Sequence, residues 1–153
     1  MMPNSLYNTD LALATRVALI LDARPHLYRS VRALAAIDLL TTNAAQFGLF
    51  PRNLHGETIY VATEFAARTQ HVERGIRYAV TRGLITPHMH QTGIQFDISD
   101  AGKSFVEALA SQYKDDYQQA LNPVLSYVDS RPESAVIRRI EQQGMEQIKE
   151  DRP

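Results

Sequence analysis

The sequence of 153 residues contains no cysteine and no tryptophan, and neither sign of charge is in excess. The absence of cysteine excludes disulfide bonds, iron–sulfur clusters and thiolate zinc sites. The 16 Lys and Arg residues nearly balance the 17 Asp and Glu residues, which gives a formal net charge of −1. This balance excludes a polycation that binds nucleic acid through bulk charge. A hydrophobic content of 44% excludes a disordered chain.

Long apolar runs are also missing. No stretch of about 18 consecutive apolar residues is present, so no transmembrane helix is expected. The first five residues, Met1 to Ser5, place no basic region ahead of an apolar core, which is not the pattern of a signal peptide. These features predict a cytoplasmic protein that does not bind a membrane.

Helical periodicity dominates the first half of the chain. Asn8 and Asp10 are suitable N-cap residues for a first helix that ends at Arg24-Pro25, because a residue before proline is disfavoured in the α region. A second helix is predicted from about residue 28 to 46. A short helix over 59–67 and another over 70–82 follow, with Gly83 as the C′ glycine.

The apolar period then changes from 3.6 to 2. Ile94, Phe96 and Ile98 alternate with polar residues after a Gln91-Thr92-Gly93 turn, which predicts a β-hairpin over about 84–98. Ser99 or Asp100 caps a helix that is expected to run to Leu121 and to be interrupted at Asn122-Pro123. A polar helix over 135–149 ends the chain.

This order of elements is typical of a winged helix-turn-helix. We therefore expect a mainly α protein with a small β-hairpin wing and with N- and C-terminal helical extensions. The winged-helix domain would span 1–129, and 130–153 would form a polar C-terminal helix or tail. The fold serves both DNA-reading proteins and protein–protein adapters, so it does not decide the function.

A DNA-contacting surface is one interpretation of the helix over 70–82 and of the wing. If Val72, Ile76 and Ala79 face the core, the opposite helix face is rich in groups that contact phosphates and bases. With the wing, the candidate DNA-binding residues are Gln70, His71, Arg74, Arg77, Tyr78, Arg82, His90 and Gln91. The alternative is an ordinary solvated or protein-facing surface, since Glu73 lies in it and would repel phosphates.

A partner or dimer surface is a second hypothesis. Large apolar side chains recur along the last two helices at Tyr113, Tyr117, Leu121, Ile137, Ile140 and Ile148. The stripe that includes Tyr117 could instead pack on the first helix of the same chain. The stripe of the last helix is too narrow to hold that helix to a core, which predicts that it is frayed or docks on another subunit.

No arrangement of residues indicates catalysis. A glycine-rich phosphate loop, a G-x-S-x-G elbow and an H-E-x-x-H motif are all absent from the sequence. His88 and His90 could share one side of a strand, but a metal site needs further ligands. The sequence therefore predicts a protein that is not an enzyme and that has no catalytic residues, metal site or cofactor.

Several segments, taken in order, resemble the middle component (the type numbered two) of bacterial ABC-three-component systems, to which the Lamassu anti-phage systems are related. Asn53-Leu54-His55-Gly56 resembles a loop that reads Ser-Leu-His-Pro in relatives, although the serine and proline are absent here. The other segments that carry the resemblance are Leu6–Leu21, Leu34–Leu40 with Asp38, Arg82–Ile85, Ile98–Gly102, the Ala108–Tyr113 region and Tyr127-Val128.

The resemblance implies an accessory subunit. Such a subunit would act with an SMC- or Rad50-like ATPase and an effector subunit, often a nuclease, and would contact double-stranded DNA if the winged helix binds it. The resemblance is also compatible with a homo-oligomer of this chain. The alternative is a free-standing, homodimeric winged-helix transcription regulator, against which the net charge of −1 and the slight basic bias of 68–103 argue.

Overall fold

The computed structural model describes residues 4–56 and 61–150, in which short loops connect seven helices and three strands. The helices are α1 (Asn4–Tyr7), α2 (Asp10–Ala23), α3 (Val31–Thr42), α4 (Val61–Thr81), α5 (Asp100–Ala108), α6 (Gln112–Asp129) and α7 (Glu133–Glu150). The strands are β1 (Arg29–Ser30), β2 (Ile85–His90) and β3 (Gly93–Ile98). The expectation of a mainly helical protein with a small β element is confirmed. None of the helices in these ranges is both long and apolar enough to span a membrane.

The start of each of the first two long helices is set by a side-chain cap. The Thr9 hydroxyl accepts from the Ala12 amide at 3.1 Å and begins α2. The expectation that Asn8 or Asp10 caps this helix is therefore wrong. Ser30 caps α3 in the same way. The predicted start of this helix near residue 28 is also wrong, because Arg29 and Ser30 pair with β3 as a short strand.

The three strands form an antiparallel sheet in the order β1-β3-β2. The predicted hairpin is confirmed, with Ile85 opposite Ile98 and Met89 opposite Ile94. Gly83 has a φ of 72°, and the amides of Gly83 and Leu84 donate to the carbonyls of Val80 and Ala79. This is a Schellman end, which lets α4 reverse directly into β2.

A single helix, α4, replaces the two helices predicted over 59–67 and 70–82. Residues 57–60 lie outside the described residues. Glu64 and Arg68 form an i,i+4 ion pair at 2.7 Å across the segment where the break was expected. Since neither glycine nor proline occurs between 61 and 74, no local feature interrupts the helix.

The break in the second half of the chain is at Leu109–Ser111 and not at Asn122-Pro123, so the prediction is wrong there too. The Ser111 hydroxyl caps α6. The Lys114 ammonium donates to the carbonyls of Val106 and Leu109, which end α5. The helix α6 then continues through Pro123 to Asp129.

The core lies around α3, which packs against α2, α4, α6 and α7. All residues from Leu34 to Thr42 are buried. The C-terminal helix α7 buries Val136, Ile137 and Ile140 against this core. The expectation that its apolar stripe is too narrow to hold α7 to a core is therefore wrong. The three buried side chains of α7 lie within about one turn of the helix, which packs against α3 and α4.

Candidate functional site

A basic surface depression lies on the second half of α4. Asp10, Arg74, Arg77, Tyr78, Thr81 and Arg82 line it, and its volume is about 300 Å³. We call it the basic cavity. Four of the lining residues belong to the last two turns of α4, and Arg82 follows the helix directly. The five positions from 74 to 82 are spaced i, i+3, i+4, i+7 and i+8, which is the spacing of one helix face. Four of them, Arg74, Arg77, Tyr78 and Arg82, belong to the set predicted to contact DNA.

The three arginines of the basic cavity differ in their partners. Arg74 is ion-paired with Asp10 at 2.9 Å. The Arg82 guanidinium lies over the Tyr78 ring, 4.6 Å from its centroid. Arg77 and Arg82 have no acidic partner among the described residues, and both are exposed. The guanidinium groups of Arg77 and Arg82 can therefore bind an anion in the basic cavity.

The other predicted DNA-contacting residues lie elsewhere. Gln70 is exposed and lines a separate cleft between α4 and α7. His71 is half-buried, and burial together with the nearby Arg68 lowers its pKa. His90 and Gln91 are exposed at the far end of the hairpin. The His90 ring lies 5.4 Å from that of Tyr28.

Asp38 is the centre of a buried polar cluster in the protein interior. Its carboxylate accepts from Arg16 at 2.9 Å, from Arg68 at 2.9 Å and from the Tyr117 hydroxyl at 2.7 Å. We call these four residues the Asp38 cluster. Burial by itself would raise the pKa of Asp38, but the guanidinium groups of Arg16 and Arg68 outweigh it and hold that pKa well below its usual range. Arg68 also forms an ion pair with Glu64, which supplies a second negative charge to the two arginines.

An aromatic stack covers the Asp38 cluster. The rings of Tyr7 and His55 are parallel, with their centroids 3.6 Å apart. His55 Nε2 is hydrogen-bonded to the Tyr113 hydroxyl. Burial, with the nearby Arg16, lowers the pKa of His55 to about 3, so the ring is neutral at pH 7. Arg16 also donates to the Tyr7 carbonyl, which ties the chain before α2 to the cluster.

The residues predicted for a partner surface lie mostly inside the chain. Tyr117, Leu121 and Ile140 are at most 1% exposed, and Ile137 is 7% exposed. Tyr113 is half-buried in the aromatic stack. The side chain of Ile148 lies outside the described residues. The four buried side chains pack within this chain and are not available on its surface.

Two features of the site were not predicted from the sequence. Nothing in the sequence indicated that Asp10 lines the basic cavity, because Asp10 and Arg74 are 64 positions apart along the chain. The sequence did hold a sign that four other residues come together, because the segments that resemble the middle components contain all of them: Tyr7, Asp38, His55 and Tyr113.

The family comparison decides the relationship. A model of the "ABC-three component (ABC-3C) system Middle Component 2" family matches residues 6–150. The chain belongs to this family. A middle component works within a system of several components, so membership implies partner proteins. All ten helices and strands lie within or overlap the matched range.

One curated protein is also similar. A thymidylate kinase of Chromohalobacter salexigens is 31% identical over 121 residues, which are 79% of this chain and 54% of the kinase. The chain thus spans about half the length of that relative. The sequence has no G-x-x-x-x-G-K-[ST] phosphate loop. No solved structure matches the chain.

Within 4–56 and 61–150, no three His, Asp or Glu side chains gather closely enough to hold an ion. The two wing histidines both lie beside Tyr28.

Proposed function

We propose that this chain is a non-catalytic winged-helix accessory subunit of an anti-phage defence complex in the cytoplasm. It bridges an SMC- or Rad50-like ATPase and an effector nuclease, and it contacts double-stranded DNA. A relationship to the Lamassu systems is part of this proposal. Membership of the middle-component family supports a role beside partner proteins.

The winged-helix assignment rests on element order and strand pairing. The order α2, β1, α3, α4, β2, β3 places a short strand between the first two helices and a hairpin after the third. The short strand β1 pairs with β3, so the hairpin is attached to the helical body. In this arrangement α3 and α4 form the helix pair, and the exposed face of α4 is the candidate recognition surface.

The basic cavity is the observation that carries the proposed DNA contact. Arg77 of α4 and Arg82, which follows the helix directly, line the same cavity without acidic partners among the described residues. Guanidinium groups bind phosphate oxygens in a bidentate manner, and such contacts position a protein on the duplex. The contact is local, because the whole chain has a net charge of −1.

The DNA contact is tested by titrating a duplex of about two helical turns at several salt concentrations. Arg77→Ala and Arg82→Ala are each expected to weaken binding equally for different sequences and to reduce the salt slope by about 0.9. Arg138→Ala is the matched control, since Arg138 is an exposed arginine of α7 outside the basic cavity. The DNA contact is wrong if the unmodified chain does not bind the duplex, or if the control weakens binding as much.

The partner role is tested separately by co-purification with an SMC- or Rad50-like ATPase from the same genome, with and without DNA. We expect a stable complex in both conditions. Exposed apolar side chains that a partner can cover occur near the start of α2, where Leu6 and Leu11 are 48% and 53% exposed. Leu11→Ser is expected to weaken the complex. The proposal is contradicted if the chain does not co-purify with the ATPase.

The same preparations separate this role from that of a transcription regulator. A regulator would be a two-fold dimer with its two recognition helices about 34 Å apart on a palindromic site. Sedimentation analysis that shows such a dimer, with tight palindrome binding and no affinity for the ATPase, would favour the regulator.

A further inference from the structure

The carboxylate of Asp10 lines the basic cavity, and it is the only acidic group that does so among the described residues. One of its oxygens, Oδ1, accepts from both Nε and Nη2 of Arg74, at 3.1 and 2.9 Å. Nη2 of Arg74 also donates to the Asn8 carbonyl at 2.7 Å. The chain that begins α2 therefore supplies two oxygen acceptors to one arginine of the proposed recognition face.

This arrangement has the chemistry of a guanidinium bound to phosphate. A phosphate group that binds arginine in a bidentate manner also accepts from two N–H groups, and it is negatively charged like the carboxylate. Arg77 and Arg82 line the same cavity and have no acidic partner among the described residues. Of the three arginines of the basic cavity, Arg74 is therefore the one that already binds a carboxylate from the described part of the chain.

We infer that Asp10 is an internal competitor of the DNA phosphate, which holds Arg74 away from DNA until a phosphodiester oxygen displaces it. This inference rests on the proposed DNA contact and concerns the regulation of that site. The Arg74 and Asp10 side chains are 42% and 54% exposed. An exposed ion pair is weak and is screened by salt, so a phosphate can replace the carboxylate.

The segment that carries Asp10 is also hydrogen-bonded to the buried Asp38 cluster. The Tyr7 carbonyl, three residues before Asp10, accepts from Arg16 of the Asp38 cluster. The Thr9 hydroxyl fixes the start of α2. The position of Asp10 beside Arg74 is therefore set by the packing of α1 and α2, and a partner that moves this segment would release Arg74 for DNA.

The experiment compares Asp10→Asn with Asp116→Asn. Asp116 is a matched control because it forms an Arg–Asp pair on another surface, with Arg52 at 3.0 Å, and it does not line the basic cavity. Both changes remove one negative charge. Each full-length variant is titrated with the same double-stranded DNA fragment over a series of salt concentrations, and circular dichroism confirms the helical content.

Asp10→Asn is expected to tighten duplex binding about 5- to 10-fold at 0.1 M salt and to steepen the salt slope by about 0.9, since one more phosphate is contacted. Asp116→Asn is expected to change the affinity less than about 2-fold. Adding Arg74→Gln to Asp10→Asn should abolish the gain. Asp10→Ser, which keeps the Thr9 cap, should behave like Asp10→Asn and guards against a folding effect.

The outcomes separate the two proposals. If the unmodified chain binds the duplex and Asp10→Asn behaves like Asp116→Asn, the competitor role is wrong while the DNA contact stands. If the gain persists when Arg74 is changed, the competitor role is also wrong. If neither the unmodified chain nor Asp10→Asn binds the duplex, both the DNA contact and the competitor role are overturned.

Discussion

The Tyr117 hydroxyl donates a 2.7 Å hydrogen bond to Oδ1 of Asp38, which joins α6 to α3 in the centre of the protein. Both side chains are buried. The same carboxylate binds Arg16 and Arg68, so helices α2, α3, α4 and α6 meet at one charged group. Such a cluster is sensitive to the loss of any one partner, because the remaining charges stay buried.

Replacing Asp38 tests this sensitivity directly. Asp38→Asn leaves two buried arginines without their shared carboxylate, and we expect a loss of about 3–5 kcal/mol in the free energy of unfolding. The measurement is urea denaturation followed by circular dichroism. Asp116→Asn, which breaks an exposed pair with Arg52, is the control and should cost no more than about 1 kcal/mol. Equal losses would mean that the cluster does not hold the helices together.

The Tyr117 hydroxyl can be removed without changing the packing of its ring. Tyr117→Phe is expected to lower the free energy of unfolding by about 1.5–3 kcal/mol, since a hydrogen bond to a buried charged group is lost. Tyr127→Phe on the same helix is the control, because its hydroxyl has no hydrogen-bond partner among the described residues. A loss for Tyr127→Phe that matches the loss for Tyr117→Phe would contradict the importance of the Asp38 contact.

The aromatic stack predicts a pH dependence of stability. The pKa of His55 falls from 6.5 to about 3 on folding, because the ring is buried and lies near Arg16. Between these values the unfolded chain binds a proton that the folded chain does not, so stability decreases as pH falls through this window. The expected loss is about 1.4 kcal/mol per pH unit. The lowered pKa of Asp38 acts in the same direction, below its usual range of about 4.

The histidine contribution is isolated by substitution. His55→Phe keeps a ring between Tyr7 and Tyr113 and should flatten the dependence of unfolding free energy on pH between about 6 and 4.5. His90→Gln, on the exposed wing, is the control and should leave that dependence unchanged. A slope that survives in His55→Phe would show that another group causes it.

Gly75 marks a close approach of α2 and α4. A Cβ atom at this position would lie 2.7 Å from Leu13 Cβ and 2.8 Å from the Leu13 carbonyl carbon. Gly75→Ala is therefore expected to destabilise the fold by about 1–3 kcal/mol, although alanine favours helix by about 1 kcal/mol. Ala66→Gly, at an exposed site of α4, measures the propensity effect alone. A stabilised Gly75→Ala would contradict this close packing.

Local features of the fold were predictable because their causes lie within a few residues. The change of apolar period from 3.6 to 2 located the β-hairpin, and Gly83 marked the end of α4. Breaks within the helical segments were less predictable. The chain breaks at 109–111, where Ser111 and Lys114 cap the helix ends, and α6 continues through Pro123.

The sequence by itself therefore determined that most of the chain is helical, the position of the hairpin and the spacing of the basic residues along α4, because periodicity, turn residues and charge spacing act locally. Only the tertiary structure decided which charges are free. Arg16, Arg68 and Arg74 look alike in the sequence, yet packing buries two of them on Asp38 and places the third on Asp10. The partners of these three arginines are 22, 30 and 64 positions away along the chain. Such pairings follow from how the helices assemble and leave no local pattern to read.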